Sequence, residues 1–364
     1  MTKILHIVTD TNIAGVAHWL LYFLDASDKS RFTMEVIIPQ GAALAPLLAE
    51  RGVTYHEAEE IADKSFSVKG TRVLKRLVRE IKPDIVHTHG SLSGRVASLF
   101  RAKIIHTRHS AFPVPWWKRI FPIKQVLGLF NGLLSNLIIS ISPATTENLV
   151  DMGTRKKKIR ELFNGVPPAK SFTPEEIEEL KQKYVIPPDK FVLVILARLA
   201  EIKGHDDILD VARAIPDALF LVAGDGERLE HITNRISQEG ITNVRMLGFI
   251  TEVDEIIAVV DAQLNASFGT EATSLSLLKG MSAGKPAIVS DYGGNPYVIQ
   301  GGVNGIVYPT RDVRALGAAI KRLMGSPELY MQLADGAIRV YEKKFTDKKM
   351  ASDIEAVYDE IMKR

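Results

Sequence analysis

Short apolar runs alternate with longer stretches of helical periodicity along the chain. In the first half the runs fall at 4–8, 34–38, 84–89, 103–107 and 137–142. Runs this rich in Val, Ile and Leu read as strands covered on both faces, and their alternation with helices predicts a parallel, doubly wound sheet. The pattern breaks at Asn164-Gly165-Val166-Pro167-Pro168, continues as a charged helix over 174–184 and meets a second proline pair at 187–188. Turn residues followed by a polar helix mark a domain boundary. The alternation then restarts at 191–199, 218–226, 244–249, 262–267, 286–290 and 305–309, which predicts a second sheet of the same kind. The expected organisation is a Rossmann-like domain over 1–166, a linker and second Rossmann-like domain over 167–345, and an amphipathic helix over 346–364 that crosses back to the first domain. Ligands bind outside the carboxyl ends of such strands, so two such domains are expected to face each other across a cleft.

Composition narrows the class. The 364 residues, 46% of them hydrophobic, suffice for two domains with separate cores. The 46 Lys and Arg nearly balance 43 Asp and Glu, and a net charge of +3 gives no general reason to expect nucleic acid as a partner. The absence of cysteine excludes disulfides, thiolate metal sites and a cysteine nucleophile. The chain opens directly on a strand-like run with no charged and apolar leader before it, so a cytoplasmic location is expected. No stretch approaches the ~18 apolar residues that a membrane span requires.

The chemistry concentrates in four ordered motifs: ARLAEIKGHDDIL at 197–209, VAGDGERL at 222–229, SFGTEATSLSLLKGMSAGKP at 267–286 and DYGGNPYVIQGGVNGIVYP at 291–309. Together they resemble the retaining nucleotide-sugar glycosyltransferases of family 4, which have the GT-B fold. The resemblance covers essentially the whole chain. It implies that Arg198 and Lys203 hold the donor diphosphate, where a guanidinium fork and an ammonium neutralise phosphate oxygens and stabilise the departing nucleoside diphosphate. It also implies that Glu271 lies beside the donor sugar. The backbone of Ala272, Thr273, Ser274 and Leu275 then approaches sugar or diphosphate at a helix start, where anions are favoured. The alternative for Glu271 is a cap on that same helix. Base recognition is expected from loop shape around Leu247, Gly248 and Phe249. In KIIHTRHSAFP the spacing Thr107-Arg108-His109 matches the family's Thr-x-His, which turns His109 toward the donor sugar. No nucleophile is nominated, and the expected chemistry is a front-side displacement.

Two places depart from the family. Lys279 stands where a second glutamate normally accepts hydrogen bonds from the nucleotide ribose, and lysine offers donors only. Losing a charged acceptor costs ~1.5–3 kcal/mol. Tyr297 likewise replaces a glutamate in the NPYV segment. The loop 10–21, usually glycine-rich, retains only Gly15, flanked by Ala14, Val16 and Ala17, with His18 after them. Glycine there admits close backbone approach and positive φ, and the added methyl groups narrow the site. These departures keep a second class open, a non-catalytic binding or scaffolding relative.

On the acceptor side, Trp116 and Trp117 adjoin Lys118 and Arg119, followed by Ile120, Phe121 and Lys124. Aromatic rings beside cations suit an anionic membrane surface, and they equally suit packing inside the domain or lining an acceptor groove. Basic residues at 154–158 and 69–82 add to the electrostatic term. His87-x-His89 resembles a metal pair, but no third ligand is identifiable from the sequence, so no metal is expected. The expected ligands are a nucleotide-diphosphate sugar, a UDP-sugar ahead of a GDP- or ADP-sugar, with a glycan or lipid-linked acceptor at the inner face of the membrane. No separate cofactor is expected.

Overall fold

A computed structural model describes residues 1–363 and divides them into two compact units. Arg364, the last residue of the stretch expected to be helical, lies outside the described residues. Unit 1 comprises Met1–Gly165 and the segment that begins at Asp347, and unit 2 comprises Val166–Thr346.

Unit 1 runs β1 (Thr2–Val8), α1 (Gly15–Ala26), β2 (Phe32–Pro39), α2 (Ala45–Glu50), β3 (Thr54–Ala58), α3 (Val68–Ile81), β4 (Ile85–His89), α4 (Leu92–Ser98), β5 (Lys103–Arg108), α5 (Ile123–Leu133), β6 (Leu137–Ser140), α6 (Pro143–Asp151) and β7 (Ile159–Glu161). Its seven strands are all parallel in the order β3-β2-β1-β4-β5-β6-β7. The sequence pattern shows five of them. The two it hides, TYHEA and IRE, are the edge strands, where one side lacks a partner and alternating polar residues are tolerated. β1, β4 and β6 are buried along nearly their whole length because helices cover both faces.

Unit 2 continues with α7 (Pro174–Lys183), β8 (Phe191–Leu196), α8 (His205–Ala214), β9 (Ala218–Ala223), α9 (Leu229–Gln238), β10 (Val244–Gly248), α10 (Val253–Val259), β11 (Ala262–Asn265), α11 (Leu275–Ser282), β12 (Ala287–Ser290), α12 (Asn295–Val298), β13 (Gly305–Tyr308), α13 (Val313–Met324) and α14 (Pro327–Lys344). Its six parallel strands take the order β10-β9-β8-β11-β12-β13. α7 starts where the sequence demands it: Thr173 accepts from the Glu176 amide, Glu176 reaches back to the Thr173 amide, and Pro174 takes the position that needs no donor. Leu193, Ile195, Phe220, Val222 and Leu264 form the centre of the core under α8 and α13.

The last helix, α15 (Asp347–Met362), belongs to unit 1, where its apolar face packs on α1. Tyr358 is fully buried, stands edge-on to Phe23 and Phe32, and meets His87 Nδ1 through its hydroxyl at 2.7 Å. Arg31 and Arg160 pair with Asp359 and Glu360 at 2.5 and 2.6 Å on the rim. Exposed pairs of this kind contribute under about 1 kcal/mol each, so the buried face carries the docking. No described helix is long and apolar enough to cross a membrane.

Candidate functional site

Each sheet changes winding direction once, between β8 and β11 in unit 2 and between β1 and β4 in unit 1. The crevice at such a point is open to ligands because the connections leave it to opposite sides. Lys203 follows β8 and Glu271 follows β11, so the unit 2 switch point brings them together.

The pair is built from below. After β8 the chain passes the exposed Arg198 and makes a single 3-10 turn over Glu201–Lys203, which ends on Gly204 at φ 71°. A side chain on Gly204 would stand 2.2 Å from the Ala266 carbonyl, so only glycine lets this turn press against the loop after β11. Lys203 Nζ then donates to Glu271 Oε2 at 2.9 Å and to the Thr270 carbonyl at 3.3 Å. Asn265 Nδ2 and Ser267 Oγ donate to the same carboxylate oxygen, each at 3.0 Å. Glu271 is buried, and three donors hold its charge there. From the other side Gly294 closes against the loop. Its amide donates to the Glu271 carbonyl at 2.9 Å, and a β-carbon there would fall 1.6 Å from the Ala272 carbonyl.

Glu271 does not cap the helix that follows. Ser274 caps α11 by accepting from the Leu277 amide, and with Ser276, Lys203, Asn265 and Ala197 it lines a small depression above β8 and β11. Ala272 and Thr273 are buried and Leu275 is half-buried. Gly248, at φ 69°, ends β10 in a bulge and leaves Phe249 65% exposed. Arg198 makes no ion pair among the described residues, whereas Lys203 is committed to Glu271. Asn265 and Ser267 are the site residues whose roles sequence reading passes over: Asn265 registers only as part of a strand end, and Ser267 opens its motif with no role attached.

Lys279 is buried on α11 with its ammonium 3.1 Å from Asp254 on α10 and 3.1 Å from the Pro168 carbonyl. An internal ion pair occupies the position where the family pattern has a ribose acceptor. Tyr297, on the short α12, is 37% exposed.

In unit 1, Gly15 is the exposed first residue of α1, outside the positive-φ region, and a β-carbon there would meet nothing within 4 Å. The conformational need inferred for it is therefore absent, and of the added methyl groups Ala17 points into the core. His18 is exposed on α1 and stacks on Tyr22. His109 lies half-buried just beyond β5, with Nε2 2.9 Å from His89 Nδ1. His89 Nε2 in turn meets His6 Nδ1 at 3.0 Å. The strand-end histidines thus form a hydrogen-bonded chain, packed against Trp19, whose ring centre lies 4.9 Å from that of His89 and 5.2 Å from that of His109. Burial drives all of them toward the neutral form: His6 and His109 fall to about 3, and His87, His89 and His106 drop well below the ordinary imidazole range.

His6 supplies the third imidazole that the sequence does not pair with His87 and His89. Their nitrogens lie within 4.8 Å of one another, close enough to consider a metal ion. His87 nevertheless meets Tyr358 and Thr107 hydroxyls at 2.7 and 2.6 Å, and His6 and His89 meet each other. Only His6 Nε2 is without a partner, so the trio fits a hydrogen-bonded core better than a metal centre.

Trp116 and Trp117 do not pack inside the unit. They are 74% and 45% exposed, Lys118 lies over the Trp117 ring, and Arg119 pairs with Asp151 at 3.2 Å.

The comparisons agree with this geometry. Residues 176–340 match the family described as Glycosyl transferases group 1, and residues 13–170 match Glycosyltransferase Family 4. The chain is of the family-4 glycosyltransferase type, with the GT-B fold. Among known proteins it is 27% identical over 327 residues to the alpha-monoglucosyldiacylglycerol synthase of Acholeplasma laidlawii, covering 80% of each chain. It is 23% identical to the UDP-Gal:alpha-D-GlcNAc-diphosphoundecaprenol alpha-1,3-galactosyltransferase of Escherichia coli, covering 88% of this chain and 87% of that one. The crystal structure of Anabaena HepE in complex with UDP and glucose superposes with a TM-score of 0.85 at 18% identity, over 99% of this chain and all of the other.

Two outcomes are expected. Lys279→Glu places a carboxylate against Asp254 and the Pro168 carbonyl and should lower the calorimetric midpoint of unit 2 by roughly 5 °C, about 2 kcal/mol for a pair with one partly exposed member. Adding Asp254→Lys should restore most of it, and an unshifted Lys279→Glu variant would refute the ion pair. The neutral histidines set an acid limit on unit 1. Their folded pKa values lie below the unfolded value of 6.5, so stability is complete above pH 6.5 and is lost as pH falls toward 3. Each ring costs about 1.4 kcal/mol per pH unit in that window, so the rings together should unfold unit 1 near pH ~5 against a stability of about 5–15 kcal/mol. All three tryptophans lie in unit 1, so their fluorescence reports this transition. Trp emission unchanged down to pH 4 would show that the rings are not held neutral.

Proposed function

We propose that this protein transfers a sugar, with retention of configuration, from a nucleoside-diphosphate donor to a glycan or lipid-linked acceptor in cell-envelope polysaccharide or glycolipid assembly. The observation that carries the reading is the Lys203–Glu271 contact at 2.9 Å, fixed by Asn265 and Ser267 at a switch point. A cation and a carboxylate held at that place can divide a nucleotide sugar between them. Lys203 and the exposed Arg198 take the diphosphate, and Glu271 takes the sugar hydroxyls. The UDP and glucose bound by HepE and the UDP-Gal in the name of the E. coli relative support a UDP-sugar as donor.

In the reaction so proposed, the bond from the anomeric carbon to the β-phosphate oxygen breaks as the acceptor oxygen bonds to the same face. The acceptor proton passes to the leaving phosphate. Arg198 and Lys203 balance the negative charge that accumulates there, which is where fixed electrostatics lower a barrier most. Unit 2 serves the donor and unit 1 the acceptor, while His109 offers Nδ1 to the donor sugar, since its Nε2 is taken by His89.

The acceptor side of this reading rests on α5 and the turn before it. Val126, Leu129, Phe130 and Leu133 recur at i, i+3, i+4 and i+7 on α5, yet all four face solvent, with Leu133 67% exposed, and Phe121 beside them is 79% exposed. An apolar helical stripe turned outward among Lys118, Arg119 and Lys124 fits peripheral contact with an anionic membrane at the cytoplasmic face. The names of the diacylglycerol and undecaprenol enzymes agree with a lipid-borne acceptor.

One observation favours the non-catalytic reading. The Lys279 ammonium is engaged by Asp254 and Pro168, which leaves the ribose without the usual acceptor. Titration with UDP-, GDP- and ADP-sugars separates the two. The transferase is expected to release one nucleoside diphosphate selectively and to give a product whose anomeric configuration, read by NMR, equals the donor's. Arg198→Ala should cut that release by 10-fold or more with an unchanged thermal midpoint. Lys203→Ala should cut it and also destabilise unit 2, because Glu271 stays buried without its cation. Inversion refutes retention, and no release from any donor refutes the enzyme. For the membrane reading, Trp117→Ser with Leu133→Ser should abolish sedimentation with vesicles of phosphatidylcholine and phosphatidylglycerol, and unaltered sedimentation would remove this face from the membrane.

A further inference from the structure

Unit 1 contains two arginines that the proposed reaction does not use. Arg95, on α4, is 9% exposed, and Arg108 ends β5 in a half-buried position. Neither forms an ion pair with any described carboxylate. The Arg95 Nη1 donates to the Asn131 side-chain carbonyl at 3.2 Å, while its Nε is buried with no partner. Arg108 Nε donates to the Ser110 carbonyl at 3.1 Å. Among the described residues, neutral amide and carbonyl oxygens are thus the only hydrogen-bond acceptors these two guanidinium ions find. Both arginines are displaced downward from the ordinary guanidinium range, Arg95 to about 10, by burial and, for Arg95, by Arg108 as well. His106 senses both charges. A buried cation without a counter-charge is among the least favourable arrangements a fold can retain, and here one lies within electrostatic reach of a second, half-buried one.

We propose that Arg95 and Arg108, with Asn131, form a binding site for a phosphate group. A phosphate supplies what the site lacks: several acceptor oxygens in the geometry of a guanidinium fork and a negative charge to offset two positive ones. Asn131 orients Arg95 and is itself fixed by donating to Thr154 Oγ1 at 3.3 Å. It lies on α5, directly after Phe130 of the outward apolar stripe, so the helix that presents the apolar side chains also holds the arginine. An amphiphile whose phosphate joins a lipid chain to a sugar would use both features. The assignment of the phosphate to the acceptor rests on the transferase reading above, whereas the site itself does not.

The experiment follows unit 1 by tryptophan fluorescence during thermal unfolding of the full chain, with and without inorganic pyrophosphate. Because unit 2 has no tryptophan, a diphosphate bound there does not report directly. Pyrophosphate at roughly a hundred times its Kd should raise the midpoint by about 5 °C. Arg95→Met should abolish that shift and raise the ligand-free midpoint, since it removes an uncompensated buried charge. A merely structural arginine would lower it. Arg108→Lys, which keeps the charge and loses the fork, should weaken the response about 10-fold. No shift in the native protein, or a shift that persists in Arg95→Met, overturns the proposal. Phosphatidylcholine vesicles with and without a polyprenyl monophosphate then identify the source. Arg95-dependent sedimentation with the doped vesicles assigns a lipid phosphate, and an Arg95-dependent response to pyrophosphate alone assigns a soluble one. Failure of every nucleotide sugar to react would refute the transferase reading and leave the pyrophosphate response in place.

Discussion

Helices cover both faces of each parallel sheet, so the carboxyl ends of the strands are the main places where buried polar groups can gather and still reach solvent. The groups closest to the two switch points obey that constraint. Lys203 and Glu271 flank the switch point of unit 2. His6 and His89 lie at the ends of β1 and β4 on either side of the switch point in unit 1, and His109 and Arg108 lie at the end of the neighbouring β5. The two ends are nonetheless solved differently. In unit 2 the buried carboxylate is satisfied by an ammonium, an amide and a hydroxyl converging on one oxygen. In unit 1 the imidazoles are held neutral and satisfy one another, while two guanidinium ions stand without acids. One unit is internally balanced, and the other carries a positive surplus next to its most exposed apolar helix.

The sequence is most legible where burial is uniform. Strands buried on both faces, such as β9, stand out as unbroken apolar runs, and the two parallel, doubly wound sheets follow from the strand and helix alternation. It is least legible at the margins. β3 and β7 carry His, Glu and Arg among few apolar positions because one of their sides has no strand beside it. A period of two over so short a span cannot be told from a loop.

Within the site, residues with a spacing signature are easier to find than residues that merely support them. Glu271, Lys203 and Arg198 match motif positions with an implied role, whereas Asn265 lies outside the motifs and Ser267 only opens one, although the carboxylate depends on both. Lys279 shows the limit from the other direction. Its identity shows a departure from the family pattern, but the partner that fixes its ammonium, Asp254, is 25 positions away on a different helix. Such pairing is a property of the packed sheet. The positive φ expected of Gly15 is absent for a related reason: glycine at a helix start has several causes, and here ordinary backbone angles remove the conformational one.

The shape of the sheet borders has a consequence for how the protein behaves in a crowded solution. All four border strands, β3, β7, β10 and β13, are no more than five residues long, β10 is bulged at Gly248, and charged side chains recur along three of them. A border that is short, bent and charged is a poor template for another chain's strand. The long, flat, hydrogen-bond-hungry edge from which fibrils grow is missing from both units. Self-association at high concentration is therefore channelled away from sheet extension and toward the outward face of α5, where contact is side chain to side chain and reversible by detergent or lipid.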